Sequence, residues 1–214
     1  MKRTTLLNLV LAIALIVVSV QLIRTKQHSE PAPVNVSATV MDNILTRTSI
    51  RKFTSTPVSE GAIDTLLRAA MAAPTAVNRQ PWHLVVVNDT VQLSALRNSS
   101  RRPGPLATST LAIAVCGNMD KALEGDGQPF WIQDVSAATE NLLLAAHSLG
   151  LGAVWTGVYP IKERIQQVSD ILQLPENIVP LSLVVLGYPD EAPEPKNKWN
   201  EENVSWNTFG KAKE

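Results

Sequence analysis

The run from Phe130 to Gly150, F-W-I-Q-D-V-S-A-A-T-E-N-L-L-L-A-A-H-S-L-G, constrains the fold of this chain more than any other stretch. It contains no proline and predicts one continuous helix of about six turns at 3.6 residues each. Ala137, Ala138, Leu142, Ala145, Ala146 and Leu149 form a broad face of small and apolar side chains, with Leu143 and Leu144 beside it. A helix apolar over so much of its circumference needs more than one packing partner. It must lie at the centre of the core or at the centre of a dimer interface. Gly150 ends it, because glycine suits the left-handed position just past a helix. His147 interrupts the apolar face. It reads as a satisfied core or interface histidine, since no carboxylate is placed to orient it.

Around that helix, other elements alternate. Ile63, Leu66, Leu67, Ala70 and Met71 fall on one stripe, predicting a helix over Ser59–Met71 with Ser59 as N-cap and Glu60 at the positive end of its dipole. Leu84–Val87, Leu111–Val115 and Leu181–Leu186 are short apolar runs that predict buried strands, and Ala153–Trp155 begins a fourth. Val40–Leu45, Thr90–Arg97 and Ile161–Leu172 predict further helices. Arg101–Pro105 and Met119–Gln128 read as loops, the second a loop or lid. The class is therefore α/β or α+β. The chain lacks G-x-G-x-x-G, G-x-x-x-x-G-K-[ST] and G-x-S-x-G, which argues against a Rossmann domain, a P-loop NTPase and a serine hydrolase.

Composition removes other classes. The formal net charge is zero, so no global field attracts nucleic acid. The single cysteine, Cys116, excludes an intrachain disulfide framework, and its place at the end of an apolar run reads as a buried structural thiol. His28, His83 and His147 are too dispersed for metal-ligand spacing.

The amino terminus reads as a targeting segment. Lys2 and Arg3 precede an apolar run from Leu6 to Ile23. Eighteen residues of helix would span about 27 Å, close to the ~30 Å of a bilayer core. Residues 1–23 are read as an uncleaved signal anchor first and a cleaved signal peptide second. Residues 24–38 are read as a linker, and the domain as 39–214. The basic residues before the apolar run place the amino terminus in the cytoplasm and the domain on the periplasmic side. The carboxyl-terminal tail from Asp190 is rich in proline and charge yet carries Trp199, Trp206 and Phe209. Three aromatics in a tail imply that it wraps on a partner surface, such as a second subunit.

Three polar segments are candidates for binding. Ala72–Trp82, A-A-P-T-A-V-N-R-Q-P-W, is framed by Pro74 and Pro81 and displays Thr75, Asn78 and Gln80. It reads either as an ordinary helix-to-strand connection or as a stiff polar surface for a heterocycle. In Arg47–Phe53, an extended backbone would point Arg47, Ser49 and Arg51 to one face, as a phosphate site or a solvated basic edge. Thr156–Pro160 is a third loop, in which backbone amides can be exposed.

Taken together and in order, R-T-S-I-R-K-F, A-P-T-A-V-N-R-Q-P-W, the run from Asp134 to Trp155 and L-G-Y-P followed by K-N-K resemble the nitroreductase family of FMN-dependent oxidoreductases. The resemblance covers roughly Asp42 to Trp206. It implies an α+β fold with a central, mostly antiparallel sheet between helices. It also implies an intertwined homodimer with FMN at the subunit interface. On that pattern Arg47, Thr48, Ser49 and Arg51 grip phosphate and ribityl. Pro74, Thr75, Asn78 and Gln80 lie along the flavin from the other subunit. Trp155, Thr156 and Gly157 form the loop whose backbone amide faces flavin N5. Lys196 and Lys198 complete the phosphate site, although many members have arginine at the second position.

The resemblance further implies ping-pong transfer of two electrons, as hydride, through FMN, with no protein acid or base required. The donor would be NAD(P)H if the domain faces the cytoplasm, and the acceptor a small nitroaromatic or quinone-like molecule. The rival readings are a membrane-tethered flavin- or ligand-binding protein without turnover, and a specialised chemistry such as reductive dehalogenation.

Overall fold

In the computed structural model, residues 36–99 and 104–212 are described. The chain divides at Met41/Asp42, and the account below concerns the larger unit, which begins at Asp42. The helices are α1 (Val36–Thr46), which enters that unit at Asp42, α2 (Glu60–Met71), α3 (Thr90–Asn98), α4 (Phe130–Ser148) and α5 (Lys162–Leu172). The strands are β1 (Trp82–Val87), β2 (Leu111–Asn118), β3 (Gly152–Gly157) and β4 (Ile178–Gly187), in the order β1-β2-β4-β3, every pair antiparallel. This is the expected α+β arrangement.

Alternation along the strands builds two core layers. On β2, Leu111, Ile113 and Val115 face one cluster, together with Ile63, Leu66 and Ala70 of α2 and Val135, Ala138, Leu142 and Ala146 of α4. Ala112, Ala114 and Cys116 face the other, with Leu93 and Leu96 of α3, Val168 of α5, and Ile50 and Phe53. The sheet is thus covered on both faces, which is why its two inner strands read as unbroken apolar runs. The edge strands were less legible. β1 begins two residues before the predicted Leu84, and β3 continues through Thr156 and Gly157, predicted as loop, because they pair with Leu183 and Ser182 of β4.

The capping expectations hold. Ser59 Oγ accepts from Ala62 N at 3.3 Å, and Asp89 caps α3 through Val91 N and Gln92 N. Gly150, φ +72°, follows α4, and Leu151 N closes on Ala146 O at 2.9 Å. Met71, the last residue of the α2 stripe, is half exposed where that helix runs out.

Cys116 is fully buried, and its burial pushes the thiol from 9.0 up to about 12, so it is a structural thiol. His147 Nε2 lies 3.0 Å from Thr46 Oγ1. That hydroxyl already donates to Asp42 O at 2.6 Å, so Nε2 must be the donor to it. The histidine is thereby satisfied, as expected.

Among the described residues, no helix is long and apolar enough to cross a membrane. The predicted signal anchor, residues 1–23, and nearly all of the 24–38 linker lie outside the described residues.

Candidate functional site

The segment from Arg47 to Thr54 is the first component. It is extended and runs beside the sheet. Ile50 N donates to Ala153 O at 3.0 Å, Thr54 N to Tyr188 O at 2.9 Å, and Asp190 N to Lys52 O at 2.9 Å. Arg51 N and Lys52 N both donate to Glu191 Oε1. Ile50 and Phe53 are buried in the core, and Arg51 and Lys52 between them are exposed. The close approach depends on glycine. A Cβ on Gly152 would stand 2.6 Å from Ile50 Cγ2, and one on Gly187 would stand 3.0 Å from Phe53 Cβ.

This segment and the tail enclose a cleft of about 910 Å³. Arg47, Thr48, Ser49 and Arg51 line one side, and Lys196 and Lys198 the other. Four cations and two hydroxyls from distant parts of the sequence thus line one cleft. Glu140, projecting from α4, and Glu194 of the tail are the counter-charges. Glu140 Oε1 lies 3.6 Å from Arg47 Nε, and the Arg47 side chain is mostly buried. A cleft of this composition suits a phosphate or another dianion.

The second component is the Pro74–Pro81 connection. Ala76–Asn78 forms a single tight turn, and Val77, Asn78 and Gln80 have φ of +49°, +55° and +50°. Side chains rarely adopt that region, and a β-branched residue such as Val77 least of all. Thr75 Oγ1 accepts from Gln80 N at 3.1 Å, and Gln80 Nε2 donates to Asn78 Oδ1 at 2.9 Å. Arg79 donates to Lys121 O and Ala122 O, and Asp134 Oδ1 accepts from Ala76 N at 2.8 Å. Asn78 and Gln80 border a separate hollow of about 370 Å³ with Arg79, Asp120 and Lys121.

The third component is the end of β3. Trp155 is about one-third exposed, and nothing lies within 4 Å of a Cβ built on Gly157, so open space adjoins that backbone. Gly157 O accepts from Arg164 Nη1 at 3.0 Å.

Ile50 N bonds Ala153 O near the start of β3, and Trp155–Gly157 continue the same strand away from that contact. The second component adjoins β1, the opposite edge of the sheet. Three strand spacings of ~4.8 Å put the two edges roughly 14 Å apart. Within one chain, six of the predicted site residues share one cleft, Asn78 and Gln80 share another, and Trp155–Gly157 line neither.

Sequence reasoning passed over Glu140 and Asp134. The signal for Asp134 was available. It falls on the stripe of Trp131, Val135, Ala138 and Leu142, where a buried carboxylate demands a partner.

The nitroreductase family model matches residues 44–115 and 104–188, ending just after β4. The chain belongs to the nitroreductase family. A relative from Methanothermobacter thermautotrophicus, provisionally named an NADH dehydrogenase/NAD(P)H nitroreductase, is 41% identical over 165 residues, 77% of this chain and 85% of its own. A crystal structure of a protein of the same provisional name from Parabacteroides distasonis superimposes with a TM-score of 0.75 at 41% identity, covering 80% of this chain and 99% of that one. The NADPH:FMN oxidoreductase of Vibrio harveyi, complexed with NAD+, superimposes with a TM-score of 0.72 at 27% identity, covering 81% and 79%.

These findings correct the expectation of a membrane-anchored domain on the periplasmic side. The relatives are named for NAD(P)H, a donor that an exported domain would not meet.

Proposed function

We propose that this nitroreductase-family chain is an FMN-dependent oxidoreductase that takes electrons from NAD(P)H and passes them to a small quinone-like or nitroaromatic acceptor. The observation that carries the reading is the cationic cleft, which Arg47, Thr48, Ser49 and Arg51 line together with Lys196 and Lys198.

The residues present fit FMN. Its phosphate matches the cations of the cleft, and its planar ring matches the open space at Gly157. When bound, FMN supplies two-electron hydride chemistry, accepting from the donor and returning to the acceptor in ping-pong order. The chain's own residues bind and orient. Arg47 and Arg51 offer rigid forks to phosphate oxygens, and Lys196 and Lys198 add point charges. Thr48 and Ser49 offer hydroxyls to the ribityl chain. The same cations favour negative charge in the site electrostatically. The backbone at Thr156 and Gly157 presents polar groups toward the ring.

The functional unit is an intertwined homodimer in which Pro74, Thr75, Asn78 and Gln80 serve the cofactor held mainly by the other chain. Two observations support this. Those residues sit at the opposite sheet edge from the cleft. Ile44, Leu45, Trp199, Trp206 and Phe209 are also exposed on a single chain, Phe209 completely, as side chains of a subunit interface would be.

The test is reconstitution. Purified chain, stripped and titrated with FMN and with riboflavin, should bind FMN far more tightly, and bound FMN should be bleached by NAD(P)H without oxygen. A chain that binds neither flavin, or binds FMN that no nicotinamide reduces, would refute the proposal.

A further inference from the structure

Asp134 has no evident reason to lie where it does. It sits on the core-facing stripe of α4 at 6% exposure, among Trp131, Val135 and Ala138. A carboxylate there must gain a strong partner to offset its lost hydration. Its carboxylate accepts from the backbone N–H of Ala76, at 2.8 Å.

That N–H opens a turn that holds three of the five non-glycine residues with positive φ among the described residues. Three of the four residues from Val77 to Gln80 have left-handed φ, and none of the three is glycine. Packing cannot impose this shape, because the Val77 side chain is 81% exposed. Hydrogen bonds must impose it. The bond from Gln80 N to Thr75 Oγ1 is internal to the loop. The bonds of Arg79 tie it to another loop, at Lys121 and Ala122. Asp134 ties it to a long helix. The same helix carries Glu140, which sets Arg47 in the cationic cleft.

We propose that Asp134 is a positioning residue for the flavin-facing wall, holding the Thr75–Gln80 turn so that Asn78 and Gln80 meet the ring. A charge-assisted bond from a rigid helix over-determines the turn and keeps its strained conformation populated before cofactor arrives. The inference rests on the FMN reading of the site.

The test uses the full chain and three variants. Asp134→Asn keeps an oxygen that can accept from Ala76. Asp134→Ala removes it. Ala76→Pro removes the donor and leaves the carboxylate, and Thr75, at φ −138° and ψ 153°, already has the extended geometry that precedes proline. FMN dissociation constants, KM and kcat with NADPH, and melting of the apo proteins are measured together. Asp134→Ala and Ala76→Pro should each weaken FMN binding roughly tenfold, the loss expected for one hydrogen bond to a charged group. The double variant should be no weaker than either, and Asp134→Asn should recover most of the loss. A merely structural aspartate would lower the melting temperature without this non-additivity in FMN binding. If Asp134→Ala fails to fold, Ala76→Pro against Asp134→Asn decides alone. Wild-type FMN affinity in Ala76→Pro, or additive losses in the double variant, would overturn the inference and leave the FMN reading intact. A wild-type chain that binds no FMN would overturn both.

Discussion

Gly152→Ala tests whether the cationic segment is placed by close packing against β3. The new Cβ would stand 2.6 Å from Ile50 Cγ2, 2.8 Å from Ile50 Cβ and 3.1 Å from Cγ1. Reaching the 3.4 Å of ordinary contact requires Ile50 to retreat by about 0.8 Å. Ile50 is β-branched, stiff at χ1 and buried, so the backbone must move with it. The same retreat would stretch the 3.0 Å bond from Ile50 N to Ala153 O beyond hydrogen-bonding range. Overpacking of this kind costs about 1–3 kcal/mol, and the lost bond about 1 more. We expect a loss of about 3 kcal/mol, which for a domain of this size lowers Tm by roughly 6–12 °C. Ser49 and Arg51 flank Ile50, so FMN affinity should fall in parallel. Urea unfolding of the apo protein and an FMN titration read the two effects. Ile50→Ala in the Gly152→Ala background should restore room, so the pair should be less destabilised than the sum of its singles. Stability within about 0.5 kcal/mol of wild type for Gly152→Ala, or strict additivity in the pair, would refute the argument.

Gly157→Ala is the complementary case. No atom lies within 4 Å of its Cβ, so apo stability should stay within about 0.5 kcal/mol of wild type while FMN binding or turnover falls; an unaltered enzyme would show that the ring does not approach there. Lys196→Ala and Lys198→Ala should each weaken FMN roughly tenfold but leave riboflavin unchanged, and should flatten the salt dependence of FMN binding. The Cys116 thiol, raised from 9.0 to about 12, should react with a thiol reagent near pH ~8 only as fast as the domain unfolds. Because the folded value is the higher, Cys116 favours the folded state fully below pH 9.0, and that contribution declines as pH rises toward about 12, as pH-dependent unfolding would show.

Patterns that repeat along the chain were the most legible. β2 and β4 are buried on both faces, so their apolar runs stood out. The α4 face, the α2 stripe and the caps at Ser59 and Gly150 follow local rules that operate before any tertiary contact forms. The end of β3 was misread as loop, because only pairing with β4 makes Thr156 and Gly157 a strand. In the site, the spacing R-x-S-x-R predicted a common face; Arg47, Ser49 and Arg51 line one cleft, but so does Thr48, which strict alternation would have turned away. Sequence order could not show that Lys196 and Lys198 close it, and only the family resemblance brought them in. The left-handed turn at Val77 was illegible for a different reason. Neither Val nor Gln advertises positive φ, so the conformation is imposed from outside by bonds such as that to Asp134. The membrane expectation arose from the amino-terminal apolar run alone, and nothing in that run reports on the donor the folded domain uses.

The central claim is that this chain binds FMN and relays electrons through it from NAD(P)H. The most direct measurement mixes FMN-loaded protein with NADPH or NADH in a stopped-flow instrument without oxygen, then adds a quinone. The account predicts bleaching of the visible flavin band, full recovery on adding quinone, and parallel double-reciprocal lines in steady state. A flavin band that neither nicotinamide bleaches would contradict it.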